Sequence, residues 1–282
     1  MRLGFITPVL TRLPGAHAGW EDDAGIGDVA EIARAADRLG FDHLTCSEHV
    51  AIPTEVAKVR GGTYWDPLAT FGYLAACTER IRFATYVLVL GYHHPLAIAK
   101  RYGTLDVVSG GRVILGVGVG SLREEFDLLG ADFAERGRLA DESLRALRVS
   151  LSQTLPSFAG ASFAYRDMIV DPCAQQARVP LWVGGRTLRS LRRAVALADG
   201  WAPFGLSCDE AAGMLARVDL PPGFEVVLSP ARPLDPVAST EPVGEELDRW
   251  VAAGATVVNP RVVHHSLAHC IEQLDALSRV AS

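Results

Sequence analysis

Residues 81–120 run Ile-Arg-Phe-Ala-Thr-Tyr-Val-Leu-Val-Leu-Gly-Tyr-His-His-Pro-Leu-Ala-Ile-Ala-Lys-Arg-Tyr-Gly-Thr-Leu-Asp-Val-Val-Ser-Gly-Gly-Arg-Val-Ile-Leu-Gly-Val-Gly-Val-Gly. An apolar, β-branched run at 81–90 precedes a helical stretch that Pro95 opens and Gly110-Gly111 closes, and a second apolar run follows at 113–119. Neither run alternates between apolar and polar residues. Both therefore predict strands buried on two faces, as in a parallel sheet covered by helices. The stretch is a βαβ unit.

The second run ends in Gly116-Val117-Gly118-Val119-Gly120. Glycine at the carboxyl end of a strand lets a flat or anionic ligand lie against bare backbone, or lets another strand pack close. A dinucleotide fingerprint would need a third glycine three residues after the second, and Ser121 and Arg123 stand at those positions. Two readings remain, tight barrel packing and a cofactor platform.

Working outward, the βα alternation continues in both directions. Residues 2–9 predict a first strand and Val29, Ile32, Ala33, Ala36 and Leu39 a helix stopped at Gly40; His43–Ser47 predict a second strand ending in Glu48-His49. The loop 50–64 holds Pro53, Gly61 and Gly62 and predicts a mobile lid. A helix begins near Asp66-Pro67, and two helical pieces split at Gly130 occupy 122–151. Residues 153–179 lack periodicity and predict either a long insertion or an excursion across a barrel mouth. Strands at 181–185, 201–204, 225–229 and 256–263 then alternate with helices to the end, the last capped by Ser266. Eight strands and about eight helices predict a single (β/α)8 barrel domain over residues 1–282.

The bulk composition is that of a globular protein, 49% hydrophobic and 21% charged with a formal net charge of −6, and no basic block points to nucleic acid. The chain begins directly in a strand and holds no run long enough to span a bilayer, so the expected location is cytoplasmic, without a membrane partner. Cys46, Cys77, Cys173, Cys208 and Cys270 are odd in number and far apart, which predicts reduced thiols and no zinc site.

Glu48-His49 is the leading candidate for chemistry. A histidine at the carboxyl end of a barrel strand sits where such barrels keep their active sites, and its titration near neutrality suits proton transfer, with Glu48 fixing its tautomer. The adjacent pairs His93-His94 and His264-His265 point apart and have no carboxylate at ligand spacing, so no metal is expected. No Gly-x-Ser-x-Gly elbow supports a serine hydrolase. Gly184-Gly185-Arg186-Thr187, between a strand and a helix, offers backbone amides, a guanidinium and a hydroxyl that suit a phosphate.

Together these motifs carry a resemblance. Leu39-Gly40-Phe41-Asp42 leading to Ser47-Glu48-His49, Val87–Leu90 with His94-Pro95, Thr104-Leu105-Asp106 with Ser109-Gly110-Gly111-Arg112, Leu115–Gly120, Arg136-Gly137 with Asp141-Glu142, Pro180–Gly185 and Ala198-Asp199-Gly200-Trp201 look like the luciferase-like monooxygenase superfamily over residues 1 to about 205. The size and motif wording resemble its branch of F420-dependent oxidoreductases. The resemblance implies a (β/α)8 barrel that binds the deazaflavin coenzyme F420 or, alternatively, FMN. The ring system would then touch Thr85, Tyr86, Val87, Gly118, Val119 and Gly120, with the phosphate at Gly184, Gly185 and Arg186. It also implies a non-proline cis peptide between Tyr86 and Val87, a homodimer, and hydride transfer to or from a small organic substrate. With FMN the implied activity is a monooxygenase fed by a separate reductase; a non-catalytic flavin-binding protein is the alternative outside enzymes. Family members acting on sugar phosphates have a tryptophan shortly after the histidine motif and a glutamate after the strand-4 glycines, where this chain has Pro53 and Ser121-Leu122. The expected substrate is instead mostly apolar, entering between loop 50–64 and segment 153–179 past Tyr64, Trp65, Phe158, Phe163 and Tyr165.

Overall fold

A computed structural model describes residues 1–280. Strands β1 (Arg2–Leu3), β2 (His43–Cys46), β3 (Arg82–Thr85), β4 (Val113–Gly118), β5 (Leu181–Gly184), β6 (Gly200–Ala202), β7 (Glu225–Leu228) and β8 (Val257–Val258) are each followed by a helix. These are α1 (Ile26–Arg38), α2 (Pro67–Ala75), α3 (Pro95–Val108), α4 (Arg136–Ser150), α5 (Leu188–Leu197), α6 (Cys208–Leu215), α7 (Thr240–Ala252) and α8 (Leu267–Val280). The strands follow the order β1-β8-β7-β6-β5-β4-β3-β2, every neighbour parallel, and a parallel bridge from Phe5 to Leu44 joins the two ends. This is the (β/α)8 barrel that the alternation predicts.

The barrel has two apolar layers. Ala84, Ile114, Trp182, Ala202, Val227 and Val257 fill the inside, and the strands' other faces pack against the helices in a larger cluster that includes Phe71, Phe83, Leu115 and Leu144. Both faces of each strand are thus covered, which is why the runs around 83 and 115 show no alternation. At the amino-terminal end His43 is fully buried, its ring edge-on to Trp182 at 5.1 Å.

The helix stops follow the predicted chemistry. Asp66 caps α2 by accepting the Ala69 amide at 2.8 Å, with Pro67 in the first turn, and Pro95 opens α3 in the same way. Gly110 and Gly111 end α3 at φ 70 and 82, the left-handed region that glycine enters without steric cost.

Three segments differ from the sequence reading. The strand expected over 2–9 pairs only at Arg2, Leu3 and Phe5; Val9 turns to φ 71 and its amide goes to the Glu21 carboxylate at 2.7 Å. The run 81–90 is interrupted after Thr85 by a cis peptide between Tyr86 and Val87, and Leu88–Val89 then pairs with β4 separately. Segment 153–179 is an insertion and does not cross the mouth. It forms a hairpin of Phe158–Ala159 with Ala164–Tyr165 on the outside of α3 and α4. Glu142 of α4 accepts the Ser162 and Phe163 amides, the Tyr165 hydroxyl meets Ser150 at 2.7 Å, and Asp106 of α3 holds Gln176. Among the described residues no helix is long and apolar enough to cross a membrane.

Candidate active site

The carboxyl ends of β2, β3, β4 and β5 bring the predicted residues to one face of the barrel. His49 follows β2, and its Nδ1 lies 2.7 Å from Glu125 Oε2. Glu125 belongs to a short helix, Arg123–Leu128, that β4 delivers over the mouth, and it is 1% exposed. Its other oxygen accepts the amides of Val50 at 2.5 Å and Ala51 at 3.2 Å, and the Tyr92 hydroxyl donates to Oε2 at 2.6 Å. Burial pushes the Glu125 carboxyl up, but the bonds from Tyr92, His49 and the two amides outweigh it and leave the group below the usual carboxylate range. Glu125 is thus held as a carboxylate. It keeps the Nδ1 proton on His49 and leaves Nε2 without a hydrogen-bond partner among the described residues. The Tyr64 ring stands edge-on to His49 at 4.5 Å and limits its rotation.

Glu48 does not take the role expected of it. Its carboxylate turns away from His49 to accept the Val89 amide at 2.7 Å and to pair with His93 Nε2 at 2.6 Å. The reason is local geometry: successive residues at a strand end point to opposite sides, so Glu48 and His49 diverge.

The cofactor-binding expectations divide in the same way. Thr85 is fully buried and its hydroxyl donates to Gly116 O at 2.6 Å, so no part of its side chain faces a ligand. The Tyr86 side chain runs into the barrel, where its hydroxyl donates to Pro203 O at 2.8 Å and lies 3.1 Å from Ser229 Oγ. Val87, half-buried, is the side chain after β3 that stands between Gly118 and Gly184. A Cβ on Gly118 would come within 2.7 Å of Val87 Cγ2, and one on Gly184 within 2.8 Å of Val87 Cγ1. These two glycines make room for Val87. Gly120, at φ 81, is needed for a similar reason, since its Cβ would meet Phe126 at 2.5 Å. Close packing of β3, β4 and β5 therefore explains the glycines, and the platform they support is Val87; Val119 packs into the core beside it.

At the start of α5 the Thr187 hydroxyl accepts the Ser190 amide at 3.2 Å and Ser190 Oγ accepts the Thr187 amide at 3.1 Å. This reciprocal cap uses the Thr187 hydroxyl as an acceptor and its amide as a donor, and leaves the hydroxyl proton available to an anion. Arg186 is exposed and makes no hydrogen bond among the described residues, although Glu210 lies close enough to feel its charge. Gly185 has φ 108, and its carbonyl is held by Ser190 Oγ and Trp201 Nε1. What remains for an anion is the amides around Gly185 and Arg186, the Thr187 O–H and the Arg186 guanidinium.

Residues 1–220 match the profile of the luciferase-like monooxygenase family. The chain belongs to that family. It is 32% identical over 199 residues to an uncharacterized protein of Mycobacterium tuberculosis, an alignment covering 66% of this chain and 68% of that one. It is 36% identical over 154 residues to 4-hydroxyprotoasukamycin monooxygenase of Streptomyces nodosus subsp. asukaensis, across 54% of this chain and 38% of that enzyme. The fold matches an F420-dependent secondary alcohol dehydrogenase solved with an F420–acetone adduct at TM-score 0.77, 13% identity and coverage of 100% and 99%. The protein is an oxidoreductase of the luciferase-like family.

In this luciferase-like barrel the residues that sequence reasoning missed are Glu125, Tyr92 and His93. A signal existed for Glu125: in Arg123-Glu124-Glu125-Phe126 an acidic residue sits between Leu122 and Phe126 on the side of the short helix that faces the barrel. Loop 50–64 is also more ordered than a plain lid. It contains the helix Thr54–Arg60, and Thr63–Tyr64 pairs antiparallel with Thr11–Arg12. Of the aromatic residues expected along the substrate path, Phe158, Phe163 and Tyr165 lie in the outer hairpin against His94 and Ser150, away from His49. Tyr64 and Trp65 instead line a groove of about 670 Å³ between α1 and α2, together with Ile26, Ala69 and Tyr73.

Proposed function

We propose that this member of the luciferase-like family transfers a hydride between coenzyme F420 and a small organic substrate, with His49 moving the accompanying proton. The observation that carries the reading is the Glu125–His49 pair at the mouth, a carboxylate-oriented imidazole whose second nitrogen makes no hydrogen bond among the described residues. The deazaflavin, when bound, supplies the hydride-accepting ring. Val87 and the backbone of 86 would support that ring, and the amides around Gly185 with Arg186 would hold its anionic tail. The residues fit such a group: three strand ends meet in an apolar platform, and an unpaired guanidinium stands at the far end of the same face. His49 Nε2 takes a proton from a substrate hydroxyl, or returns one to a carbonyl, and Glu125 stabilises the imidazolium formed in between. The Tyr64 ring covers one side of the imidazole.

The similarity to 4-hydroxyprotoasukamycin monooxygenase favours a second reading, an FMN-dependent monooxygenase supplied with reduced flavin by a separate reductase. Anaerobic fluorescence titration with each cofactor discriminates. F420 binding with turnover of alcohols, enones or imines supports the proposal, and micromolar FMN binding without affinity for F420 overturns it. Arg186→Ala is expected to weaken F420 binding about tenfold, one decade being about 1.4 kcal/mol, with little change in melting temperature. An equal Kd would remove Arg186 from the site.

A further inference from the structure

Glu48 is 8% exposed, and its amide and both carboxylate oxygens are committed to the segment that follows β3. Its amide donates to Val87 O at 3.3 Å, its Oε2 accepts the Val89 amide at 2.7 Å, and His93 Nε2 donates to Oε1 at 2.6 Å. The preceding Ser47 hydroxyl donates to Tyr86 O at 2.8 Å. Residues 47 and 48 therefore grip the backbone at 86, 87 and 89, and that backbone sets how far the Val87 side chain stands above Gly118 and Gly184.

Behind the carboxylate lies a cavity of about 40 Å³ lined by Glu48, His93, Asp66, Arg101 and Tyr102, among others. Tyr102 is 4% exposed, and its hydroxyl has no hydrogen-bond partner among the described residues. The lining is mixed, with Leu68, Leu88 and Ile98 beside the polar groups, and the volume is enough for a water molecule. The Glu48–His93 pair thus borders this cavity, while His49 pairs with Glu125. Two carboxylate–histidine pairs flank one segment, and they differ in what they can reach.

We propose that Glu48 is a positioning residue, with His93 as its support, that fixes the Val87 surface on which the cofactor ring rests. The inference rests on the cofactor reading above for the ring, and on hydrogen bonds alone for the grip. A charged acceptor makes the stronger bond to an amide, and His93 holds the second oxygen so that the carboxylate cannot swing toward solvent. Glu48 touches neither the reacting atoms nor His49 in this scheme.

Two variants separate positioning from catalysis and from simple stability. Glu48→Ala removes the acceptor, whereas Glu48→Gln keeps an oxygen for the Val89 amide. Amide hydrogen exchange without cofactor reads the grip directly: exchange at Val89 is expected to rise about tenfold or more in Glu48→Ala and to stay near wild type in Glu48→Gln. Titration with F420 and with FMN is expected to show a Kd raised about tenfold in Glu48→Ala, with the bound absorbance band moved toward that of the free cofactor, and recovery of both in Glu48→Gln. The pH profile of turnover should keep its shape in Glu48→Gln. Unchanged exchange at Val89 in Glu48→Ala overturns the grip, and raised exchange with unchanged Kd and spectrum overturns the ring-positioning role. Loss of a pH limb in Glu48→Gln would make Glu48 a proton carrier and overturn the proposal. A wild-type protein that binds neither cofactor sinks the cofactor reading and the ring-positioning role with it, and the exchange result still decides the grip by itself.

Discussion

At the scale of single residues, the site is a division of labour between two acidic side chains. Glu125 is enclosed and accepts four hydrogen-bond donors, from His49, Tyr92, Val50 and Ala51, so its charge is balanced by local dipoles and a tautomer is imposed on His49. Glu125→Gln keeps the shape, but an amide cannot stabilise an imidazolium. We expect kcat to fall about 10²-fold or more, the usual contribution of a positioned acid–base group, with cofactor affinity retained. Steady-state kinetics beside a binding titration checks this, and equal losses in both would point to a folding defect. The same carboxyl also makes a pH prediction. Because its folded value lies below its ordinary one, the stability it contributes is complete above about pH 4.3 and is lost as pH falls through the lower folded value. Thermal unfolding between about pH 5 and pH 3 should therefore steepen toward acid in the wild type and be shallower in Glu125→Gln.

At the scale of elements, loop 50–64 is built to be held at defined points. The helix Thr54–Arg60 buries none of its residues, so packing does not fix it. It is held at its start by Val50 and Ala51 on Glu125, and at its end by Arg60 Nη1 donating to Ser121 Oγ at 3.1 Å. Gly61, at φ 76, gives the sharp exit, and a Cβ there would fall 1.9 Å from Arg12 O. The latch from Arg60 crosses the mouth from β2 to β4. Arg60→Ala should loosen the helix without touching the core: KM rises several-fold, cleavage by subtilisin within 54–62 accelerates, and the melting temperature moves little because exposed polar contacts contribute little. A large fall in melting temperature with unchanged KM would show the helix to be scaffold. The insertion 153–179 behaves as the opposite kind of element. Glu142, Asp106 and Ser150 fasten it to α3 and α4.

For the molecule as a whole, the barrel closes at the seam between β1 and β2, where the Phe5 amide donates to His43 O and the Asp42 amide to Leu3 O. Between β1 and β2 the pairing is reduced to the Phe5–Leu44 bridge, and side chains complete it: the Thr7 amide donates to Thr45 Oγ1 at 3.3 Å, the Thr45 amide to Thr7 Oγ1 at 3.0 Å, and Thr45 Oγ1 to Phe5 O at 3.4 Å. Thr45 is 3% exposed, so Thr45→Val leaves a buried Thr7 amide without its acceptor. The expected loss is about 1–3 kcal/mol, visible as a lower midpoint in urea with an unchanged slope. A neutral result would mean that water enters the seam and replaces the hydroxyl. Because Glu48 and His49 continue β2 directly, the same variant also tests whether the seam sets their position, through a change in kcat.

Local residue order encodes the alternation of buried strands and amphipathic helices, hence the barrel, because two-sided burial and helical periodicity are properties of neighbouring residues. It placed His49, Val87 and Gly184 at strand ends for the same reason. It also held the motifs that carry the family resemblance, yet many of those residues serve the scaffold: Arg112 bonds Thr78 and Ala75 O, Asp141 pairs with Arg193, and Asp199 holds Arg148, Arg178 and the Leu181 amide. Which carboxylate serves which histidine follows from the folded barrel alone. Glu48 is one residue from His49 and pairs with His93, while Glu125 is 76 residues away and pairs with His49. Partners across a barrel mouth are chosen by where strand ends point and by which helix is delivered over them, and that direction in space has no counterpart in sequence spacing.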